Sequence, residues 1–204
     1  MTQPPSQAPL QTPATPSPMQ LFREQTLFVC VDIQERLSLA MHGELLGRLQ
    51  KNSLALIHGA RQLGIPLLVS EQYKKGLGST LPELVAALPE GTVRHDKLTF
   101  SVFGDPTLAK TLVEHSGQGR TQVVVFGMET HVCVYQTVRD LCHVGFRVHV
   151  PHDAVSSRDP ENLRVGLVLC ERAGATVTST ETVLFDLLGA AGTPDFKAIS
   201  ALVK

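Results

Sequence analysis

Six short runs of apolar, largely β-branched residues punctuate this chain, and their spacing restricts it more than any other feature. They lie at 27–31, 66–70, 92–95, 122–126, 147–150 and 175–178. Between them the apolar periodicity predicts helices near 42–63, 105–116, 131–144, 160–173 and 180–189, with a short turn at 81–88. Near-continuous apolar strands separated by helices imply a parallel sheet covered on both faces. The punctuation agrees. Gly64-Ile65-Pro66 stops one helix, Gly145 and Gly174 stop others, and Asp159-Pro160 supplies an N-cap with proline at the first helical position. The expected fold is a doubly wound three-layer α/β/α domain with a six-stranded parallel sheet over residues 21–204.

In such sheets ligands bind beyond the carboxyl ends of the strands. Asp32 and Gln34 follow the first strand, and Glu71, Gln72 and Tyr73 the second. Asp96, Lys97 and Phe100 follow the third, and Gly127-Met-Glu-Thr-His-Val-Cys133 the fourth. His152, Asp153, Ser156 and Ser157 follow the fifth. A carboxylate, an ammonium and a thiol therefore project toward one crevice. Each has a plainer reading: Asp32 as a helix cap, Lys97 as a solvated surface group, Cys133 as a packed core thiol. Position alone leaves the core reading the commoner one for Cys133, yet it also supplies a reason for reactivity. The pattern Thr130-x-x-Cys133-x-x-x-Thr137 puts it in a first helical turn, where unpaired N–H groups favour thiolate. Cys30, Cys142 and Cys170 fall inside a strand or mid-helix and read as core.

Composition narrows the rest. Eighteen basic against nineteen acidic residues leave a net charge of −1, which does not favour nucleic acid or an anionic membrane as partner. No apolar stretch is long enough to span a membrane. Residues 1–20, rich in Pro, Gln, Ser and Thr, read as a disordered tail without a secretory signal, so the expected compartment is the cytoplasm. There the four cysteines are thiols, and none forms a C-x-x-C pair. The histidines show no tight ligand spacing, and no phosphate-loop glycine pattern occurs. Ser156-Ser157 lacks the G-x-S-x-G setting of a nucleophile elbow.

The blocks FVCVDIQE, HDKLTFSVF and VVVFGMETHVCVYQTVRDLCHVGFRVHVPHDAVSSR resemble the isochorismatase-like cysteine hydrolases, which include nicotinamidases, pyrazinamidases and N-carbamoylsarcosine amidases. The resemblance spans about residues 24–200. SEQYKKGLGSTLPEL and TSTETVLFDLLGAAGTPDFKAISALVK are similar to the isochorismatase domain-containing subgroup. It implies a catalytic triad of Asp32, Lys97 and Cys133, and a cis peptide at Met128-Glu129. It also implies an oxyanion hole from the N–H groups of Glu129 and Cys133. The implied activity is hydrolysis of a small amide or related C–N substrate through a thioester, with no cofactor. The implied assembly is a homo-oligomer, a dimer or tetramer. Gln34, Glu71, Tyr73, Phe100, Phe103 and His131 are the candidate pocket residues. Nicotinamidases hold a metal through an Asp-x-His cluster after strand two. Glu71-Gln72-Tyr73 stands in that place here, so no metal site is expected. True isochorismatases lack the cysteine that Cys133 supplies. A silent ligand-binding or redox-sensing member of the same fold is the alternative.

Overall fold

Strand β1 (Thr26–Val31) is buried along its whole length, and the sheet extends from it in both directions. The computed structural model describes Ser17 and residues 19–204. The tail expected over residues 1–20 therefore falls almost wholly outside the described residues. After β1 come α1 (Glu35–Leu39), α2 (Gly43–Leu63), β2 (Leu67–Gln72), α3 (Lys74–Leu77) and α4 (Pro82–Ala87). Then follow β3 (Arg94–Lys97), α5 (Pro106–Gly117), β4 (Gln122–Met128), a π-helical turn (Thr130–Val134) and α6 (Tyr135–His143). The chain continues with β5 (Arg147–Pro151), β6 (Val155–Ser156), α7 (Pro160–Arg172), β7 (Thr176–Thr178), α8 (Thr180–Leu188) and α9 (Phe196–Leu202).

The strand order is β3-β2-β1-β4-β5-β7, all parallel. The two-residue β6 pairs with the end of β4, beyond the reach of β5, and makes a seventh strand that the sequence pattern does not reveal. The winding direction reverses between β1 and β4, so the switch point lies at their carboxyl ends.

Alternation along β1 feeds two cores. Phe28 and Cys30 join Leu49, Leu56 and Leu184 from α2 and α8. Leu27, Val29 and Val31 join Leu108, Leu112 and Val138 from α5 and α6. Each such buried aliphatic side chain contributes about 1.5–3 kcal/mol before entropy is counted. Phe28 and Phe126 meet edge to face, with ring centroids 6.3 Å apart. The expected caps form: Asp159 accepts from the Glu161 N–H, and Gly64, Gly145 and Gly174 hold positive φ at helix ends.

The third strand sits two residues later than expected. Thr92 instead closes a turn onto Pro89, and β3 begins where its backbone can pair with Val69 of β2. Pairing with a neighbour, not β-propensity, sets that boundary. Gly127 is required where it stands. It faces Val31 across the β1–β4 ladder at φ 129°, and a Cβ there would lie 2.0 Å from the Val31 carbonyl oxygen. Among the described residues no helix is long and apolar enough to cross a membrane.

Candidate active site

Asp32 follows β1 directly and holds a left-handed backbone, φ 51°. That conformation costs a non-glycine residue on the order of 1 kcal/mol and persists only where surroundings hold it. Here they do. Its N–H donates to the Ser70 carbonyl at 3.1 Å, and its Oδ1 accepts from the Ser70 hydroxyl at 2.7 Å. Its Oδ2 accepts from Lys97 Nζ at 2.8 Å.

Lys97 is the last residue of β3 and is buried, not solvated. Its ammonium also meets Gln72 Oε1 at 2.7 Å and the carbonyls of Thr99 and Phe100 at 3.1 and 3.0 Å. Four acceptors surround three donors, so the charge is fully engaged. A buried ion pair repays its desolvation only with such additional bonds.

Cys133 lies in the π-helical turn and is 6% exposed. Its carbonyl accepts from the Thr137 hydroxyl at 2.7 Å, and that hydroxyl accepts from the Val102 N–H at 2.9 Å. The turn is thus fixed to the segment after β3. Gly166 of α7 packs so closely on it that a Cβ would lie 2.8 Å from the His131 nitrogen. The peptide between Met128 and Glu129 is cis. Burial pushes the Cys133 thiol well above its ordinary value, and the Asp32 charge pushes it further. Lys97 opposes both. The expected helix-terminus effect is outweighed: burial beside the Asp32 carboxylate favours the thiol over the thiolate.

A cavity of about 260 Å³ opens above Cys133. Leu37, Leu77, Phe100 and Val132 form its apolar walls. Gln72, Glu129 and Arg158 supply its polar ones. Glu129 Oε1 accepts from Arg158 Nε at 2.7 Å and from the Arg158 N–H at 3.2 Å.

Of the six candidate pocket residues, Phe100 lines this cavity and the others do not. The Gln34 amide is buried and pins the following loop, donating to the Gly78 and Gln72 carbonyls and accepting from the Gln72 N–H. Glu71 turns away to Thr80, Lys74 and Arg94. Tyr73 is 50% exposed and lies over Gly76. Phe103 packs with the core beneath α5 and α6. His131 Nδ1 bonds the Ser157 hydroxyl at 3.0 Å, with Nε2 4.0 Å from Glu129. Gln72 and Arg158 were missed as lining residues, although both adjoin strand ends. Leu37, Leu77 and Val132 carry no sequence signal beyond hydrophobicity.

A divalent cation does not fit the place after β2. Glu71 is consumed by two cations and a hydroxyl, and Gln72 serves Lys97. Among the described residues no three His, Cys, Asp or Glu side chains converge to hold a metal.

Comparison with known proteins places these features. A Danio rerio protein named isochorismatase domain-containing protein 1 is 40% identical over 179 residues, 88% of this chain and 61% of that one. The chain thus spans under two thirds of that relative's length. The Phytophthora sojae secreted isochorismatase effector Isc1 is 38% identical over 87% of this chain and 83% of its own. A solved structure described as MAR1 ribonuclease from Caenorhabditis elegans superposes with a TM-score of 0.83 at 35% identity, covering 90% of this chain and 92% of that one. The isochorismatase domain model matches residues 26–182, and the chain belongs to the isochorismatase-like hydrolase family.

Proposed function

We propose that the protein is a cysteine-dependent hydrolase of a small amide, with Cys133 as nucleophile, Asp32 as general acid–base and Lys97 as its counter-charge. The observation that carries this reading is the buried Asp32–Lys97 pair at 2.8 Å, set against a thiol that borders a cavity at the switch point of the sheet. Because the resting sulfur is protonated, proton transfer accompanies attack. Asp32 takes the proton as sulfur bonds to the carbonyl carbon, and Lys97 steadies the carboxylate beforehand. The N–H groups of Glu129 and Cys133 receive the oxyanion, a role in which one donor is worth about 10²–10³-fold in rate. The C–N bond breaks as Asp32 returns the proton to the leaving nitrogen. Asp32 then deprotonates a water, whose oxygen bonds to the carbonyl carbon as the C–S bond breaks, and returns that proton to the Cys133 sulfur.

A redox-sensing role does not fit, since sensor thiols ionise readily and burial beside Asp32 pushes this thiol up. The ribonuclease named among the relatives makes RNA the second substrate class to assay. The net charge of −1 and the small cavity above Cys133 offer little grip on a phosphate backbone. Self-assembly through the edge beside the cavity is part of this reading, because Leu98 and Phe100 are exposed there.

The test is ammonia release from a panel of primary amides, with an RNA oligonucleotide alongside, for the wild type and Cys133→Ala. Turnover that disappears in the variant, with an acyl adduct on Cys133 by mass spectrometry, is the expected result. RNA cleavage retained in Cys133→Ala, with no amide turned over, overturns it.

A further inference from the structure

Resting on the hydrolase reading above, we infer that Arg158 is a positioning residue for the oxyanion. It grips the Glu129 carboxylate with two donors and so fixes the backbone N–H of Glu129 where the negative oxygen forms.

The sheet runs out just before this region. The β4–β6 ladder pairs Gly127 with Val155 and Met128 with Ser156, and stops there. The next residues carry both proposed oxyanion donors, Glu129 and Cys133, on a turn that β6 no longer holds. Side chains take over from the backbone. Glu129 Oε1 accepts from the Arg158 backbone N–H at 3.2 Å and from Arg158 Nε at 2.7 Å. Two residues further on, His131 Nδ1 lies 3.0 Å from the hydroxyl of the buried Ser157. Two successive residues after β6 thus hold the start of the π-helical turn. Its Cys133 end is fixed separately, through the Thr137 hydroxyl to the Val102 N–H.

Burial and charge make the Arg158 contact the stronger of the two. The Glu129 side chain is 7% exposed, and a carboxylate that deep needs partners. Among the described residues only Arg158 donates hydrogen bonds to it. His131 Nε2, 4.0 Å from Oε2, is beyond that reach. A charge-assisted bond is roughly twice as strong as a neutral one. The Arg158 side chain is itself 60% exposed, so its removal opens no core cavity. The catalytic steps proposed above use neither side chain. What the pair supplies is placement, and a misplacement of about 1 Å can cost roughly 10²-fold in rate.

Two reactions at the same sulfur separate placement from upkeep of the fold. Amide hydrolysis builds an oxyanion, and alkylation by iodoacetamide does not. In alkylation the S–C bond forms as the C–I bond breaks, iodide leaves, and the thiol proton passes to solvent. The experiment measures kcat and KM on the best amide of the panel, and the alkylation rate of Cys133 located by mass spectrometry. The chains are the wild type, Glu129→Ala, Glu129→Gln and Arg158→Gln, each checked by thermal unfolding.

Glu129→Ala should lower kcat by about 10²-fold, the worth of one donor, with KM within about threefold. Arg158→Gln keeps the backbone N–H bond and should lower kcat by about tenfold. Glu129→Gln still offers an oxygen to both donors and should recover most of the loss. Alkylation should stay within about threefold of the wild type throughout, because no oxyanion forms. Burial and the Asp32 charge raise the Cys133 thiol most and Glu129 adds to the rise, so losing that charge does not slow the sulfur. A kcat that Glu129→Ala and Arg158→Gln both leave within about twofold overturns the inference alone. So does alkylation that falls in step with kcat, the mark of a loosened fold. If the wild type turns over no amide, the hydrolase reading falls and this inference with it.

Discussion

Two thiols flank Asp32 and have opposite prospects. Cys30 lies inside β1, is 1% exposed, and is pushed above its ordinary value by burial first and by Asp32 second. Cys133 is raised by the same two causes in the same order. What separates them is that Lys97 opposes the rise at Cys133, and that Cys133 opens on a cavity whereas Cys30 is walled in by Phe28 and Phe126 neighbours of its core. The lesson is that burial beside a carboxylate does not make a nucleophile. On the proposed hydrolase reading, a counter-charge and a space for the reacting carbon do.

The comparison can be broken at several points. The largest expected effect is on rate. Cys133→Ala should abolish amide turnover by at least about 10³-fold, while Cys30→Ala should leave kcat/KM within about twofold, measured by steady-state ammonia release. Next is the charge pair. Asp32→Asn leaves Lys97 buried without its partner and should cost about 3–5 kcal/mol in denaturant unfolding. It also removes the charge that raises the thiol, so Cys133 should alkylate faster at pH 7 even as turnover is lost. Lys97→Ala should slow alkylation instead. Equal signs for the two variants would sink the account of Asp32 and Lys97 as opposing influences on sulfur.

A smaller effect follows from pH. The folded values of Cys30, Cys133 and Cys170 all lie above the unfolded value of 9.0, Cys170 being pushed up to about 12. Their contribution to stability is complete below pH 9 and is lost as pH rises, because the unfolded thiols ionise first. Thermal unfolding between pH 9 and 11 should show a loss of about 1.4 kcal/mol per pH unit for each thiol. Cys170→Ala should reduce that slope by one thiol. The smallest effect is Cys30→Ala itself, expected to cost about 1–2 kcal/mol through lost packing in β1.

The residues that end strands were legible in the sequence. Asp32 directly follows the first apolar run and Cys133 falls in the turn after the fourth, and residue type marks the caps at Asp159, Gly64, Gly145 and Gly174. Lys97 was legible as a candidate but not as a buried one, because its burial depends on four acceptors drawn from three segments. The pocket was the least legible part. Glu71 and Tyr73 adjoin Gln72 in sequence, yet only Gln72 faces Cys133, since successive residues at a strand end point to opposite sides. His131 and Val132 differ in the same way within the π-helical turn.

By itself, then, the sequence determined the alternation of elements, the parallel sheet, and which edge of it carries a carboxylate, an ammonium and a thiol. Period and punctuation are local, and local steric and hydrogen-bonding rules act on them directly. The tertiary structure alone decided that Arg158 crosses to Glu129, that Gly166 packs on the Thr130–Val134 turn, and that burial holds Cys133 as a thiol. Those outcomes depend on distances between segments far apart in the chain. Solvent exclusion, which sets the strength of every charge in the site, arises only once the helices close over the sheet.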